Sequence, residues 1–301
     1  MSAIDELGYE TNIFARNLRQ GGSRIIGLIV SDILNPFHAT IVKSIQDEVY
    51  RQGFTLMVGS SDENSKRERT LLSQLRSHQL QGLIIIPTND TQENLKNFDR
   101  IPVIEIDRFS GRLDSDNILL DNEKGIQLAV QHLIELGHRN ICYIGGSTKA
   151  KTFKERMSGF LSSCPAQISQ SVFEIPAVTS LHSQAQEIAG QVCTMLHNER
   201  PTAIIAGNND ITTGVVQAIY ESGLKMPEDI SLIAFDDPDW AAFFPCPLTT
   251  IRQPVYEMGQ FSVRQLFKKI RGETSENSLV WRFEPELIIR KSTTTNFTKN
   301  Q

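Results

Sequence analysis

Apolar residues in this chain come in short, nearly unbroken runs. They are "RIIGLIVSDI" (24–33), "GFTLMVGSS" (53–61), "GLIIIPT" (82–88), "PVIEIDR" (102–108) and "NILLDN" (117–122), then "NICYIGG" (140–146), "SVFEIPAV" (171–178), "TAIIAGN" (202–208), "ISLIAFDD" (230–237) and "LTTIRQP" (248–254). Continuous Ile/Leu/Val runs of this length predict strands buried on both faces, hence parallel strands. Between them the apolar period changes. In "PFHATIVKSIQDEVYRQG", Ile41, Ile45 and Val49 fall on one helical face and Gly53 closes the helix. The segments "NSKRERTLLSQLRSH", "EKGIQLAVQHLIELG", "SQAQEIAGQVCTMLH" and "DITTGVVQAIYESG" repeat the pattern. Strand, helix, strand in succession builds right-handed βαβ units.

Ten strands exceed an ordinary single sheet, so the expected fold is α/β, with two doubly wound parallel-sheet lobes divided near Asp121-Asn122. The rhythm changes late: 254–271 reads as one long amphipathic helix, and "WRFEPELIIRKS" as a final extended run. Such late elements can cross back and lace the lobes together. The expected organisation is residues 1–22 as a leading helical segment, 23–122 plus about 254–273 as the first lobe, 123–253 plus about 274–292 as the second, and 293–301 as a tail.

Composition changes this picture little. The 301 residues are 40% hydrophobic and 22% charged, the balance of a globular protein. A net charge of −5 is not the signature of a chain that binds nucleic acid over its whole surface. Positive charge is local: Arg16, Arg19 and Arg24 cluster, with no acid between Asn12 and Val30. Cys142, Cys164, Cys193 and Cys246 form no CxxC and have no metal-ligand spacing, which fits a reducing, cytoplasmic compartment. The opening "MSAIDELGYE" is acidic and lacks the apolar core of a signal peptide, and no run of about 18 apolar residues occurs.

In open α/β sheets, ligands bind beyond the carboxyl ends of the strands. Those ends carry Asn35-Pro36-Phe37, Ser60-Ser61-Asp62, Asp107-Arg108, Ser147 onward, Asn208-Asn209-Asp210 and Asp236-Asp237. Each has a plain reading beside a functional one. Asn35 and Pro36 suit the N-cap and first position of a helix. Phe37 serves either the core or a cleft. Asp107 and Arg108 form a surface ion pair, or offer a carboxylate and a guanidinium fork to one ligand. Arg156 in "KTFKERMSGF" is a solvated helical arginine or a ligand donor, and Asn209-Asp210 caps a helix or faces a ligand. Taken together, carboxylates, an amide, guanidiniums and an aromatic at strand ends suit a sugar: acids and amides bind hydroxyls, and an aromatic face covers the C–H side of the ring. Catalysis is poorly supported, since no GxSxG, Walker loop, HExxH or GxGxxG after a strand appears, and none of the six histidines pairs obviously with a nucleophile. No cofactor and no enzymatic activity are expected.

Ten ordered blocks then carry a resemblance to the LacI/GalR family of transcriptional regulators. They are "AIDELGYETNIFARNLRQGGSRIIGLIV", "DILNPF", "LQGLIIIP", "IPVIEIDR", "LLDNEKG", "HLIELGHRNICYIGG", "ERMSGF", "RPTAIIAGNND", "MPEDISLIAFDD" and "LTTIRQP", spanning about Ala3 to Ser292. Several are also similar to periplasmic sugar-binding proteins of the ribose-binding type. The resemblance implies a two-lobe effector domain with a hinged cleft, forming a homodimer, with cleft residues Phe37, Asp107, Arg108, Arg156, Asn209, Asp236 and Gln253. It also implies a small-molecule, sugar-like effector whose binding alters affinity for operator DNA.

The resemblance gives "LGYETNIFARNLRQGG" (7–22) a role. In the family a Tyr-x-Pro-Asn-x-x-Ala-Arg-x-Leu segment is a hinge helix that enters the DNA minor groove. Ala15, Arg16, Leu18 and Arg19 are the implied DNA-contacting residues, with Leu18 as the wedge between base pairs. Thr11 stands where the family usually has Pro, and a threonine caps a helix start in its place. A helix shorter than about 12 residues is marginal alone, so 1–22 is expected to order only with a partner and DNA. The family's helix-turn-helix is not in this sequence, and truncation is the expectation. The resulting reading is the effector-binding and dimerisation region of a repressor; the alternative is a transport-type periplasmic sugar-binding protein. The ligand stays open. Two Asp balance two Arg in the implied site and favour a neutral polyol. Lys149, Lys151 and Lys154 crowd one rim: pointing inward they favour a sugar acid or phosphate, outward they are a solvated helix face.

Overall fold

The computed structural model describes residues 23–176, 180–197, 199–273 and 278–296. All ten apolar runs form strands in it, and the final extended run forms two more. The first sheet contains β1 (Ile25–Val30), β2 (Thr55–Ser60), β3 (Gly82–Ile85), β4 (Val103–Ile106), β5 (Asp116–Leu120) and β11 (Val280–Phe283), in the order β2-β1-β3-β4-β5-β11, all parallel. The second contains β6 (Asn140–Gly145), β7 (Ser169–Glu174), β8 (Ala203–Ala206), β9 (Ser231–Phe235), β10 (Thr249–Arg252) and β12 (Glu286–Ile288), in the order β7-β6-β8-β9-β10-β12, with β12 alone antiparallel. Each sheet reverses its winding once, between β1 and β3 and between β6 and β8. That reversal opens a crevice at the carboxyl ends of the strands.

The helices follow from the same patterning. They are α1 (Pro36–Arg51), α2 (Ser65–Ser77), α3 (Thr91–Asn94), α4 (Asn122–Glu135), α5 (Lys151–Ser163), α6 (Leu181–Cys193), α7 (Asn209–Glu221), α8 (Asp239–Phe243) and α9 (Val255–Ile270). The α1 helix starts as its sequence dictates: the Asn35 side chain accepts from the Phe37 amide at 2.9 Å, and Pro36 needs no donor at the first position. Its stripe of Phe37, Ile41, Ile45 and Val49 is buried against the first sheet and α9. Full burial of each isoleucine contributes roughly 2 kcal/mol. The opposite face of this sheet is covered by α2 through Leu72 and Leu75. In the second lobe α4 and α5 cover one face, and α6 and α7 the other. The expectation of two-sided burial fails at the outer strands β2 and β7, which are half-exposed because one side of each has no neighbouring strand among the described residues.

The chain passes between lobes three times, at 120–122, 252–255 and 283–286. The last passage corrects the expected assignment of 274–292 to the second lobe. Val280–Phe283 pairs in parallel with β5 of the first sheet, and only after Glu284-Pro285 does Glu286–Ile288 join β10. One apolar run therefore feeds both sheets, because the proline breaks it at the boundary.

The contact between α1 and α9 is tight at one point. A Cβ on Gly259 would lie 1.8 Å from the Ser44 Oγ and 3.0 Å from its Cβ. Ser44 donates its hydroxyl to the Ile41 carbonyl at 2.9 Å, so an alanine at 259 must turn it out of that bond. Gly259→Ala is expected to destabilise the chain by about 1–3 kcal/mol in chemical denaturation, the usual range for overpacking. Adding Ser44→Ala should restore part of that loss.

Candidate functional site

Two strand-end aspartates define the site. Asp107 ends β4 and Asp236 ends β9, the fourth strand of each lobe, and both adopt left-handed backbone conformations with φ of 69° and 77°. Aspartate tolerates that region better than most residues because its short side chain bonds locally. Each backbone amide still donates into its sheet, Asp107 to Ile118 and Asp236 to Ile251, both at 2.9 Å. The twist thus re-aims the carboxylates while the strands stay paired. The two carboxylates repel across the interlobe cleft, with the Arg156 guanidinium attracted to both.

Arg156 is buried on α5. Its Nε donates to the Asn122 Oδ1 at 2.8 Å, one of its terminal nitrogens donates to the Gly207 carbonyl at 2.7 Å, and its plane covers the Phe235 ring at 3.5 Å from the centroid. Burial lowers its affinity for a proton, against the pull of Asp236 and Asp107. Burial likewise pushes the Asp236 carboxyl above its usual range, opposed by Arg156 and by the Gln253 amide that donates to it. In the first lobe, Arg108 donates to both Glu63 oxygens at 2.8 Å and through Nε to Asp107 at 3.2 Å. Burial pushes the Glu63 carboxyl up, but the Arg108 charge and hydrogen bonds outweigh it and hold it below the ordinary range. Burial pushes the His38 imidazole down, so it stays neutral; its Nδ1 donates to the Asp32 carbonyl at 2.8 Å.

The cavity here has a volume of about 460 Å³ and is lined by residues from both lobes. Six expected residues line it: Phe37, Asp107, Arg108, Arg156, Asp236 and Gln253. Phe37 also belongs to the core, so both of its readings apply. Asn209 instead lines an adjoining cavity together with Phe37, Asp236 and Gln253. The cap of α7 is Asn208, whose side chain accepts from the Ile211 amide. Asn209 is thereby released from capping, and its buried Oδ1 has no hydrogen-bond partner among the described residues; the Gln253 Oε1 is in the same state. Ala15, Arg16, Leu18 and Arg19, and the expected conditional order of 1–22, lie outside the described residues.

Sequence reasoning missed Asp32, Glu63, Asn122 and Phe153. Glu63 stands one residue past the strand end that was singled out, and Asn122 sits where the chain first crosses between lobes. The balance of two acids and two arginines therefore understated the acids. Six carboxylates (Asp32, Asp62, Glu63, Asp107, Asp210 and Asp236) line the cavity against Arg108 and Arg156. Asp62 pairs with Arg67 outside it. Burial, then the Asp32 charge, raise the Asp210 carboxyl. The rim lysines do not offset this excess. Lys149, Lys151 and Lys154 are not among the cavity-lining residues, and the Lys151 ammonium lies over the Phe109 ring of the other lobe at 4.3 Å. Among the described residues no cluster of three or more His, Cys, Asp or Glu is placed to hold a metal ion, and no helix is long and apolar enough to cross a membrane.

Comparison with known proteins places this architecture. A periplasmic binding protein-like domain matches residues 130–293. The transcriptional repressor PurR of Aliivibrio fischeri is 30% identical over 301 residues, covering 96% of this chain and 87% of that protein. Among solved structures, the Lac repressor bound to ONPG in the repressed state superposes with a TM-score of 0.83 at 26% identity, covering 97% of this chain and 88% of that one. A LacI family regulator from Enterococcus faecium with bound ribose gives 0.76 at 28% identity, covering 91% and 100%.

Proposed function

Because the chain belongs to the LacI/PurR family of periplasmic-binding-protein-like regulators, we propose that its cleft binds a neutral, hydroxyl-rich effector, a sugar or close derivative, and that this binding sets the chain's affinity for operator DNA. The observation that carries the ligand class is the excess of acceptors. Six carboxylates line the cavity against a limited set of donors, most already committed within the protein. A ligand rich in O–H donors satisfies these acceptors. An added phosphate or carboxylate would meet like charge at short range and pay desolvation in addition. The ribose bound by the E. faecium relative supports the same class.

Lobe closure around such a ligand would act on a homodimer. Tyr50, near the end of α1, and Val58, on the outer strand β2, are exposed and fit a self-pairing face beside an unpaired strand edge. The segment carrying Ala15, Arg16, Leu18 and Arg19 would transmit the change to DNA. The test is calorimetry of the 301-residue chain against pentoses and hexoses, each beside its phosphate ester. A neutral sugar is expected to bind at least tenfold more tightly than its phosphate. Tighter binding of the phosphates, or no binding by any neutral sugar, overturns the reading.

A further inference from the structure

A second cavity, of about 860 Å³, adjoins the cleft on the side where the chain crosses between lobes. It shares Phe37, Asp236 and Gln253 with the cavity just described, so the two spaces are separated by a single layer of side chains. Its other walls come from both lobes. Trp240 and Asp239 of α8 face Tyr256, Glu257 and Gln260 of α9, with Pro36 and Thr40 of α1 alongside. Trp240 is half-buried and held edge-to-face on Phe244, with ring centroids 6.2 Å apart. Tyr256 is anchored by its hydroxyl, which donates to Asp47 at 2.8 Å. Asp237, between them, is neutralised by Arg252 and Arg290.

The inventory repeats that of the cleft: aromatic rings for the C–H faces of a ring, and carboxylates and an amide for its hydroxyls. The layer between the two spaces holds Gln253, and Asn209 lines the hinge-side cavity; among the described residues the side-chain oxygen of each is unpartnered, and both residues are more than nine-tenths buried. A buried acceptor left without a donor is destabilising. A donor carried by a ligand in the hinge-side cavity, which both residues line, would recover that cost. The cleft cavity alone lies at the small end of ordinary ligand sites, about 300–1,000 Å³, whereas the two together exceed what one sugar ring needs.

We propose that this hinge-side cavity is a second subsite for a polyhydroxylated ring, so that the chain takes a disaccharide or glycoside in preference to a single sugar. The inference rests on the sugar reading of the cleft. The same ring chemistry could also arrive as a second free sugar, and the test separates these sources.

The 301-residue chain is titrated calorimetrically with ribose, glucose, maltose, cellobiose and phenyl β-D-glucoside, alongside Trp240→Ala and Trp240→Phe. The expected result is that a two-ring ligand binds at least tenfold more tightly than the single sugar, that Trp240→Ala removes the gain while leaving the single sugar within twofold, and that Trp240→Phe keeps most of it. Two single sugars per chain, with one lost in Trp240→Ala, also support the subsite and assign it a free sugar. One single sugar per chain, no gain from a second ring and a silent Trp240→Ala overturn this inference and leave the cleft reading standing. Failure of every sugar to bind removes both. Should Trp240→Ala melt much lower than the parent, Tyr256→Ala carries the same comparison.

Discussion

Replacing Asp236 with alanine is expected to weaken binding of the cleft ligand at least a hundredfold and to destabilise the free protein by about 1–3 kcal/mol, the cost of a buried donor left without its acceptor. Both effects have one cause. Asp236 attracts the buried Arg156 more strongly than any other charge, and it also accepts from Gln253. Arg156 has no ion pair among the described residues and is held by Asn122, Gly207 and the Phe235 face, so removing the carboxylate leaves a desolvated cation without its counter-charge. Asp236→Asn keeps an acceptor for Gln253 but loses the charge. It should lie between the alanine variant and the parent in both calorimetry and denaturant melts. Equal stability of Asp236→Ala and the parent would mean that Arg156 does not depend on this partner.

Acid is expected to loosen the C-terminal segment through His138. The ring is buried, and burial, with small contributions from His132 and Arg139, pushes it down to about 4 against a weaker pull upward from the Thr294 carbonyl. Nε2 donates to that carbonyl at 3.1 Å, and the neutral Nδ1 faces the Thr202 hydroxyl at 2.8 Å. An imidazole that is harder to protonate when folded binds fewer protons folded than unfolded. Its stabilising effect is therefore complete above about 6.5 and is lost as pH falls toward about 4. The difference amounts to roughly 3 kcal/mol when fully expressed. Carboxylates held low by arginines, such as Asp237 and Asp114, lose stability in the lower part of the same range, so the comparison needs a variant. Between pH 7.5 and 4.5, His138→Gln should lose roughly 2–3 kcal/mol less than the parent in urea denaturation. Identical pH slopes would show that the ring does not control this segment.

How much the sequence disclosed depended on the kind of signal. Strands such as Ile25–Val30 and Ser231–Phe235 are continuous apolar runs because both of their faces are covered, and such runs are unmistakable. The outer strands β2 and β7 were located as well, but not their exposure, since lying at an edge is a property of neighbours and not of the run itself. Val280–Phe283 was misassigned for the same reason: a strand carries no mark of the sheet it will join. In the site, Asp107 and Asp236 were legible from their position after a strand. The burial of Arg156 was not, because an arginine in a polar helix reads as solvated until Phe235, Asn122 and Gly207 are brought to it from elsewhere in the chain. The unpartnered oxygens of Asn209 and Gln253 required the fold, since a missing partner is visible only once all neighbours are in place.

The α5 helix packs most tightly beside the first crossing, toward its C-terminal half. Gly159 packs there with no room for a side chain, since its Cβ would stand 2.9 Å from the Glu123 backbone. Eight residues away, Lys151 reaches across to Phe109. At about 1.5 Å per residue the two points are roughly 12 Å apart. If the lobes turn about the crossings, α5 behaves as a lever with its fulcrum beside Gly159. A rotation of about 10° that barely disturbs Arg156 would then sweep the Lys151 end through roughly 2 Å. The gearing is set by the helix length, so small adjustments around the ligand are read out as large travel at the tip.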